Sequence, residues 1–139
     1  MDISLIARMS SKLLILYHQN EPIPFSRYLA PNVMWFGPGV GHVLSGKDNI
    51  IRVWESAERP VPLNINEPEV HAIALGSHAC NVVMSFTAAM RFASGEEAPV
   101  FRRIMLSWIE TTASSTPQVV LVQSSNLYLP NDEKRIFPV

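Results

Sequence analysis

Two hydrophobic periods divide the chain. Up to residue 57 apolar positions recur at three- and four-residue steps, and from residue 68 they alternate. Ile3, Ile6, Met9, Leu13 and Leu16/Tyr17 lay one apolar stripe along a helix over 2–19, with Asp2 as its candidate N-cap. Pro22 and Pro24 end that helix. Pro24 can occupy the first turn of a short second helix, Phe25 to Leu29, which stops before Pro31. Val33 to Phe36 reads as a short strand turned by Gly37-Pro38-Gly39. A third helix follows, ended by Pro60 and Pro62. Ile50, Trp54 and Ala57 form its buried stripe, and Ser45 with Asp48 resembles a capping box.

The alternating half reads as four strands. Glu69 to Leu75 is the first. His78 to Phe92 is long, with Cys80, Val82, Met84, Phe86, Ala88, Met90 and Phe92 on one face and Asn81, Ser85, Thr87 and Arg91 on the other. Ser94-Gly95-Glu96-Glu97 signals a hairpin into Val100 to Thr111, and Thr112 to Pro117 turns the chain into Val119 to Leu129. Helices followed by a meander of strands imply an α+β domain. Its expected shape is a cone: a curved antiparallel sheet with three helices on its concave face, enclosing a cavity that suits a small ligand.

Composition narrows the function. A chain of 139 residues, 47% apolar and only 17% charged, supports a single domain with a well-buried core. Its net charge of −1 leaves no electrostatic footprint for nucleic acid, and Arg102-Arg103 and Lys134-Arg135 are only dipeptides. No direct nucleic-acid contact is expected. The single cysteine, Cys80, rules out an intrachain disulfide and lies in an apolar run, as a buried thiol in a reducing compartment would. Leu13 to Tyr17 is too short an apolar run to span a bilayer, and no signal-peptide pattern precedes it. A cytoplasmic protein without membrane contact is the expectation.

Candidate chemistry is sparse. "GHVLSGKD" (41–48) approaches the phosphate loop G-x-x-x-x-G-K-[ST], but Asp48 replaces the hydroxyl and the strands that follow are antiparallel. It reads as a turn and a helix cap. His18, His42, His71 and His78 share no ligand spacing and no cysteine cluster, so neither metal nor cofactor is implied. His42 belongs to the loop at the expected cavity mouth and is a candidate ligand contact; His18 closes the first helix, where it would serve the helix dipole. Trp35, Trp54 and Trp108, with Met84, Phe86 and Met105, are either core or cavity wall. Arg102 and Arg103 alternate faces, so one points inward; Arg103 is the candidate partner for an acidic ligand, with Glu55, Glu69 and Glu110 as carboxylates that could neutralise an inward arginine instead.

The run "YLAPNVMWFGPGVGHVLSGKDNIIRVWES" (28–56) resembles the SnoaL-like branch of the nuclear-transport-factor-two-like superfamily. That resemblance implies the conical α+β barrel and dimerisation through the outer face of the sheet. In its enzymes, an acidic base in the turn after the first strand removes a proton beside a carbonyl, and a second acid or a tyrosine stabilises the oxyanion. By that pattern the base falls at Gly37 and the oxyanion donor near Met105, and neither can do the chemistry. "FRRIMLSWIE" (101–110) and "VVLVQSSNLYLPNDEKRIFPV" (119–139) are similar to SnoaL-like sensory modules upstream of bacterial outputs such as LytTR-type regulators. The apolar end, Ile136-Phe137-Pro138-Val139, would then lead into the rest of a longer protein.

The combined expectation is a non-catalytic sensory and dimerisation domain of a bacterial regulator. It would bind a small, mostly apolar ligand, with an acidic group as one option. The ligand-binding candidates are Trp35, His42, Trp54, Met84, Phe86, Arg103, Met105 and Trp108. Two alternatives remain: a small cofactor-independent isomerase, cyclase or dehydratase with atypical acid–base residues, and an oligomerisation domain with a filled cone.

Overall fold

Asp2 opens the first helix, α1 (Ile3–His18), by accepting a hydrogen bond from the Leu5 amide. The computed structural model describes residues 1–38, 41–112 and 114–127. The apolar end at 136–139 and the end of the last expected strand at Leu129 lie outside the described residues. The deepest line of α1 runs Ile6, Ser10, Leu13/Leu14 and His18, so two polar residues share the stripe that the apolar spacing marked. Asn20, just past the helix, takes the left-handed conformation that ends it, with φ 58°.

The second helix, α2 (Pro22–Ser26), starts three residues earlier than the sequence suggested, because Pro22 itself fits a first-turn position. The strand after it is correspondingly longer: β1 is Leu29–Phe36 and takes in Pro31. "GHVLSGKD" contains a strand that its polar spacing hid, β2 (Val43–Ser45), antiparallel to the end of β1. Ser45 therefore belongs to a strand and is not the helix cap. Gly46 is the N-cap of α3 (Lys47–Ser56), with no side-chain capping bond, and its φ of 88° explains a glycine there. Its amide donates to the Val33 carbonyl at 2.9 Å, which ties the helix start to β1.

Four of the remaining five strands follow the alternating pattern. β3 (Val61–Ile65) went unmarked between Pro60 and Pro68, followed by β4 (Glu69–Ala74), β5 (Ala79–Arg91), β6 (Glu97–Thr111) and β7 (Ser114–Asn126). The seven-stranded sheet runs β2-β1-β7-β6-β5-β3, with β4 also paired to β5. β5 is long enough to hold β4 along Cys80–Ser85 and β3 along Ala88–Arg91. The sheet is mixed: β1 runs parallel to β7, and the other pairs are antiparallel. The fold class is the expected one, α+β with a curved, unclosed sheet wrapped around helices.

Register decides which residues face the helices. On β5 the buried residues are Cys80, Val82, Met84, Phe86, Ala88 and Met90, as the alternation implied; Phe92 lies past the strand end and is exposed. Phe86 pairs with Arg102, Met84 with Ile104, Val82 with Leu106 and Cys80 with Trp108, so these β6 residues share the inner face. At one end of the core Trp108 is wholly buried. Its indole N–H donates to Ser10 Oγ at 2.9 Å, and that hydroxyl donates to the Ile6 carbonyl at 2.9 Å. The buried hydroxyl of Ser10 is there to satisfy the indole. Burial pushes the Cys80 thiol up, as befits a packed and unreactive side chain.

Candidate functional site

The centre of the cone is packed. Leu13, Leu14, Tyr17, Phe25, Trp35 and Met84 surround a void of only about 10 Å³, too small for any organic ligand. Open space begins at the mouth, where the last turn of α1, the end of β1, the Gly41–His42 segment and α3 meet. There a cleft of about 410 Å³ is walled by Tyr17, Trp35, Leu44, Ile50, Val53 and Trp54, with Gly37, His42 and Arg59 on its border.

Its aromatic wall is one connected cluster. Tyr17 lies 5.9 Å from Trp35 and 5.5 Å from Trp54 between ring centroids, Trp35 lies 6.1 Å from Trp54, and Phe25 backs both tryptophans. These are edge-to-face and tilted contacts, the arrangement that ring quadrupoles prefer. Arg59 lies over the cluster, 4.1 Å from the Tyr17 centroid and 4.9 Å from that of Trp54. Its guanidinium donates to the Tyr17 carbonyl and to Asn20 Oδ1, each at 3.0 Å, and Asn20 Oδ1 also accepts from the Trp54 indole. The left-handed turn at Asn20 thus places one oxygen where it fixes both the cation and a tryptophan.

Among the described residues, the lining of this cleft contains no aspartate or glutamate. At Gly37, where the resemblance puts a base, an added Cβ would come within 2.9 Å of His42 Cβ and 3.4 Å of His42 Nδ1. The Gly37 amide donates to the His42 carbonyl at 2.8 Å, closing the turn. The histidine occupies the space a side chain at 37 would need.

The structure brings Trp35, His42 and Trp54 together at the cleft. Met84 lines the small central void, and Phe86 packs against the His18 ring, 5.0 Å away and edge-on. Trp108 is at the other end of the core with Tyr28, 6.2 Å between centroids, and does not reach the cleft. Arg103 and Met105 are on the outer face of the sheet. The expectation that they line the cavity is corrected by register: alternation turns Arg102, Ile104 and Leu106 inward and so turns 103 and 105 outward. Arg103 Nε donates to Ser85 Oγ at 3.0 Å on that outer face. The same parity takes the Met105 position off the inner surface where an oxyanion donor would act.

Two polar groups escaped the sequence reading. His18 was expected to serve the helix dipole, but it is 96% buried and its Nδ1–H donates to the Leu14 carbonyl at 2.8 Å. Burial holds its pKa below the usual histidine value, and the charges of Arg102 and Arg59 add to that, so the ring is neutral. Arg102, the inward arginine, is half-buried with its Nε enclosed and without a hydrogen-bond partner. The signal for His18 was the four-residue step Ile6, Ser10, Leu14, His18.

Comparison with known proteins shows the fold. A ketosteroid isomerase-like protein from Erwinia carotovora atroseptica superposes with a TM-score of 0.76 at 13% identity, covering 93% of this chain and 100% of that one. An NTF2-like protein of unknown function in nutrient uptake from Rhodospirillum rubrum gives 0.66 at 18% identity over 88% and 98% of the two chains. The fold is the NTF2-like one. A CaMKII hub from S. rosetta shares this NTF2-like fold, with a TM-score of 0.70 at 13% identity, covering 91% of this chain and 98% of the hub. No protein-family model matches the sequence, and no curated protein is significantly similar to it. No helix among the described residues is long and apolar enough to cross a membrane.

Proposed function

We propose that this chain is a non-catalytic domain that dimerises through the outer face of its sheet and binds a small, flat, mostly apolar ligand in the aromatic cleft. The observation that carries the ligand-binding part is the cleft itself. Three aromatic rings and three aliphatic side chains wall about 410 Å³, with Arg59 and His42 at its border and no carboxylate among the described lining residues. Such a site binds by area and shape, and its described lining offers no acidic base for proton abstraction. His42 against Gly37 supports the same reading, since it fills the place of the expected base.

Dimerisation is supported by a row that crosses five strands on the outer face. Val83, Met105, Gln123, Phe36 and Val43 stand side by side in register, and the first two and Phe36 are only half-buried in the monomer. An apolar row interrupted by one amide suits a symmetric protein contact. The NTF2-like fold of a CaMKII hub is in keeping with an assembling role. Within a bacterial regulator such a dimer would pass a ligand-dependent change to an attached output domain.

Trp35 and Trp54 are natural reporters. Titration with lipophilic aromatic acids and ketones, followed by tryptophan fluorescence and thermal shift, is expected to give saturable quenching and a rise in Tm for part of the set. Trp54→Leu is expected to weaken binding at least ~10-fold by removing a central aromatic wall. A flat response across the whole set would sink the ligand-binding reading.

A further inference from the structure

Arg59 brings a fixed positive charge to a cleft whose other walls are aromatic and aliphatic. It is the one permanently charged residue among the described lining of that 410 Å³ space. The residue is half-buried between α3 and β3, and its position is set by contacts on both its charge and its N–H groups. Its guanidinium carbon lies 4.1 Å from the Tyr17 ring centroid and 4.9 Å from that of Trp54, so the charge rests on two aromatic surfaces. Both hydrogen bonds that anchor it come from one nitrogen: Nη1 donates to the Tyr17 carbonyl and to Asn20 Oδ1, each at 3.0 Å. Both acceptors are neutral. The ion pairs among the described residues join Glu110 to the N-terminus, Glu69 to His71 and Glu97 to Arg91, and none of them engages Arg59.

An arginine anchored through Nη1 keeps its Nε–H and one Nη2–H side by side and parallel, the pair that engages both oxygens of a carboxylate. Anchoring also lowers the entropy cost of holding a long side chain when a ligand arrives. On the reading that the cleft is a ligand site, we infer that its ligand is an ionised aromatic carboxylic acid. The carboxylate sits on the Nε/Nη2 edge of Arg59, and the ring lies among Trp35, Trp54 and the aliphatic wall of Leu44, Ile50 and Val53. Charge decides against the other classes. An amine would meet a cation at the border, with no carboxylate among the described lining to receive it. A neutral ketone would leave the strongest interaction that the arginine can make unused. The acid-binding role that sequence offered to Arg103 thus passes to an arginine in a loop, because Arg103 is on the outer face of the sheet.

Three probes of one shape separate these cases: 4-ethylbenzoate, its neutral near-isostere 4-ethylacetophenone, and the cation 4-ethylbenzylamine. Calorimetric titration measures each affinity, and the indole N–H signal of Trp54 by NMR reports binding in the cleft. 4-Ethylbenzoate is expected to bind ~10- to 100-fold more tightly than the ketone, the difference that charge-assisted hydrogen bonds make. The amine should bind more weakly than either. Arg59→Gln removes the charge and should bring the acid-to-ketone affinity ratio down ~10-fold or more. Arg59→Lys keeps the charge without the fork and should restore only part of that ratio. Equal affinity of acid and ketone for the parent protein, an unchanged ratio in Arg59→Gln, or full recovery in Arg59→Lys would each overturn the carboxylate site. Ketone binding with a Trp54 shift would in those cases leave the cleft standing as a ligand site, whereas silence from all three probes would overturn both readings together.

Discussion

His42 stands in the space of an absent side chain at Gly37, with its Cβ 2.9 Å from where a Cβ on residue 37 would be. Their backbones are joined by the 2.8 Å bond from the Gly37 amide to the His42 carbonyl. Placing a carboxylate at 37 therefore needs more than one substitution. Gly37→Asp is expected to lose about 1–3 kcal/mol of stability through overpacking and to gain no isomerase activity. Combined with His42→Gly, which removes the obstructing Cβ, most of the loss should return. Urea denaturation of the four proteins in the cycle checks this, and simple additivity of the two changes would refute the steric account.

Ser10 and Trp108 are coupled through a buried hydrogen bond, although 98 residues separate them in sequence. Ser10→Ala leaves the indole N–H buried and unsatisfied, which costs about 1–3 kcal/mol. Trp108→Phe removes the donor together with the need for an acceptor. The double variant should then be less destabilised than the sum of its parts, as measured by chemical denaturation.

Stability is expected to fall as the solution is acidified below pH 6.5. The folded His18 has a lowered pKa, mainly through burial, so between that value and 6.5 the unfolded chain holds a proton the folded chain lacks. In that window the unfolding free energy decreases with falling pH by up to about 1.4 kcal/mol per unit; above it this residue contributes no slope. His18→Phe, which keeps an aromatic ring beside Phe86, should flatten the profile. Arg102→Met should narrow the window by removing one of the charges that depress the histidine. Denaturation at pH 5, 6 and 7 distinguishes these outcomes.

The outer row supplies a test of assembly. Met105→Asp sets a charge at the centre of the proposed interface but leaves the inner face untouched. It is expected to shift the protein to monomer by light scattering while its circular dichroism stays unchanged. Retention of the same mass as the parent would remove the outer face as the interface.

The alternating pattern from residue 68 marked four strands and the inner face of β5, because one buried face imposes a period of two on any strand that carries it. Helix α1 and its cap were equally legible. β2 and β3 were not: three residues in a turn, and five that include Pro62, are too short to show a period, and they are strands because β1 and β5 offer them free edges. Among the site residues, Trp35, His42 and Trp54 were marked by type and by their places on successive elements. The choice between Arg102 and Arg103 was not available, since neighbouring residues of one strand differ only in parity, and parity is set by the register against Phe86.

Sequence by itself determined the local elements, the near-neutral charge and the lack of a side chain at Gly37, since these follow from residue type and spacing along the chain. The tertiary structure alone decided that the cone is filled at its centre and open at its mouth, and that His18 is buried edge-on to Phe86. Those outcomes depend on which side chains from distant elements share one small volume, and that is fixed by packing and strand register, which no single segment encodes.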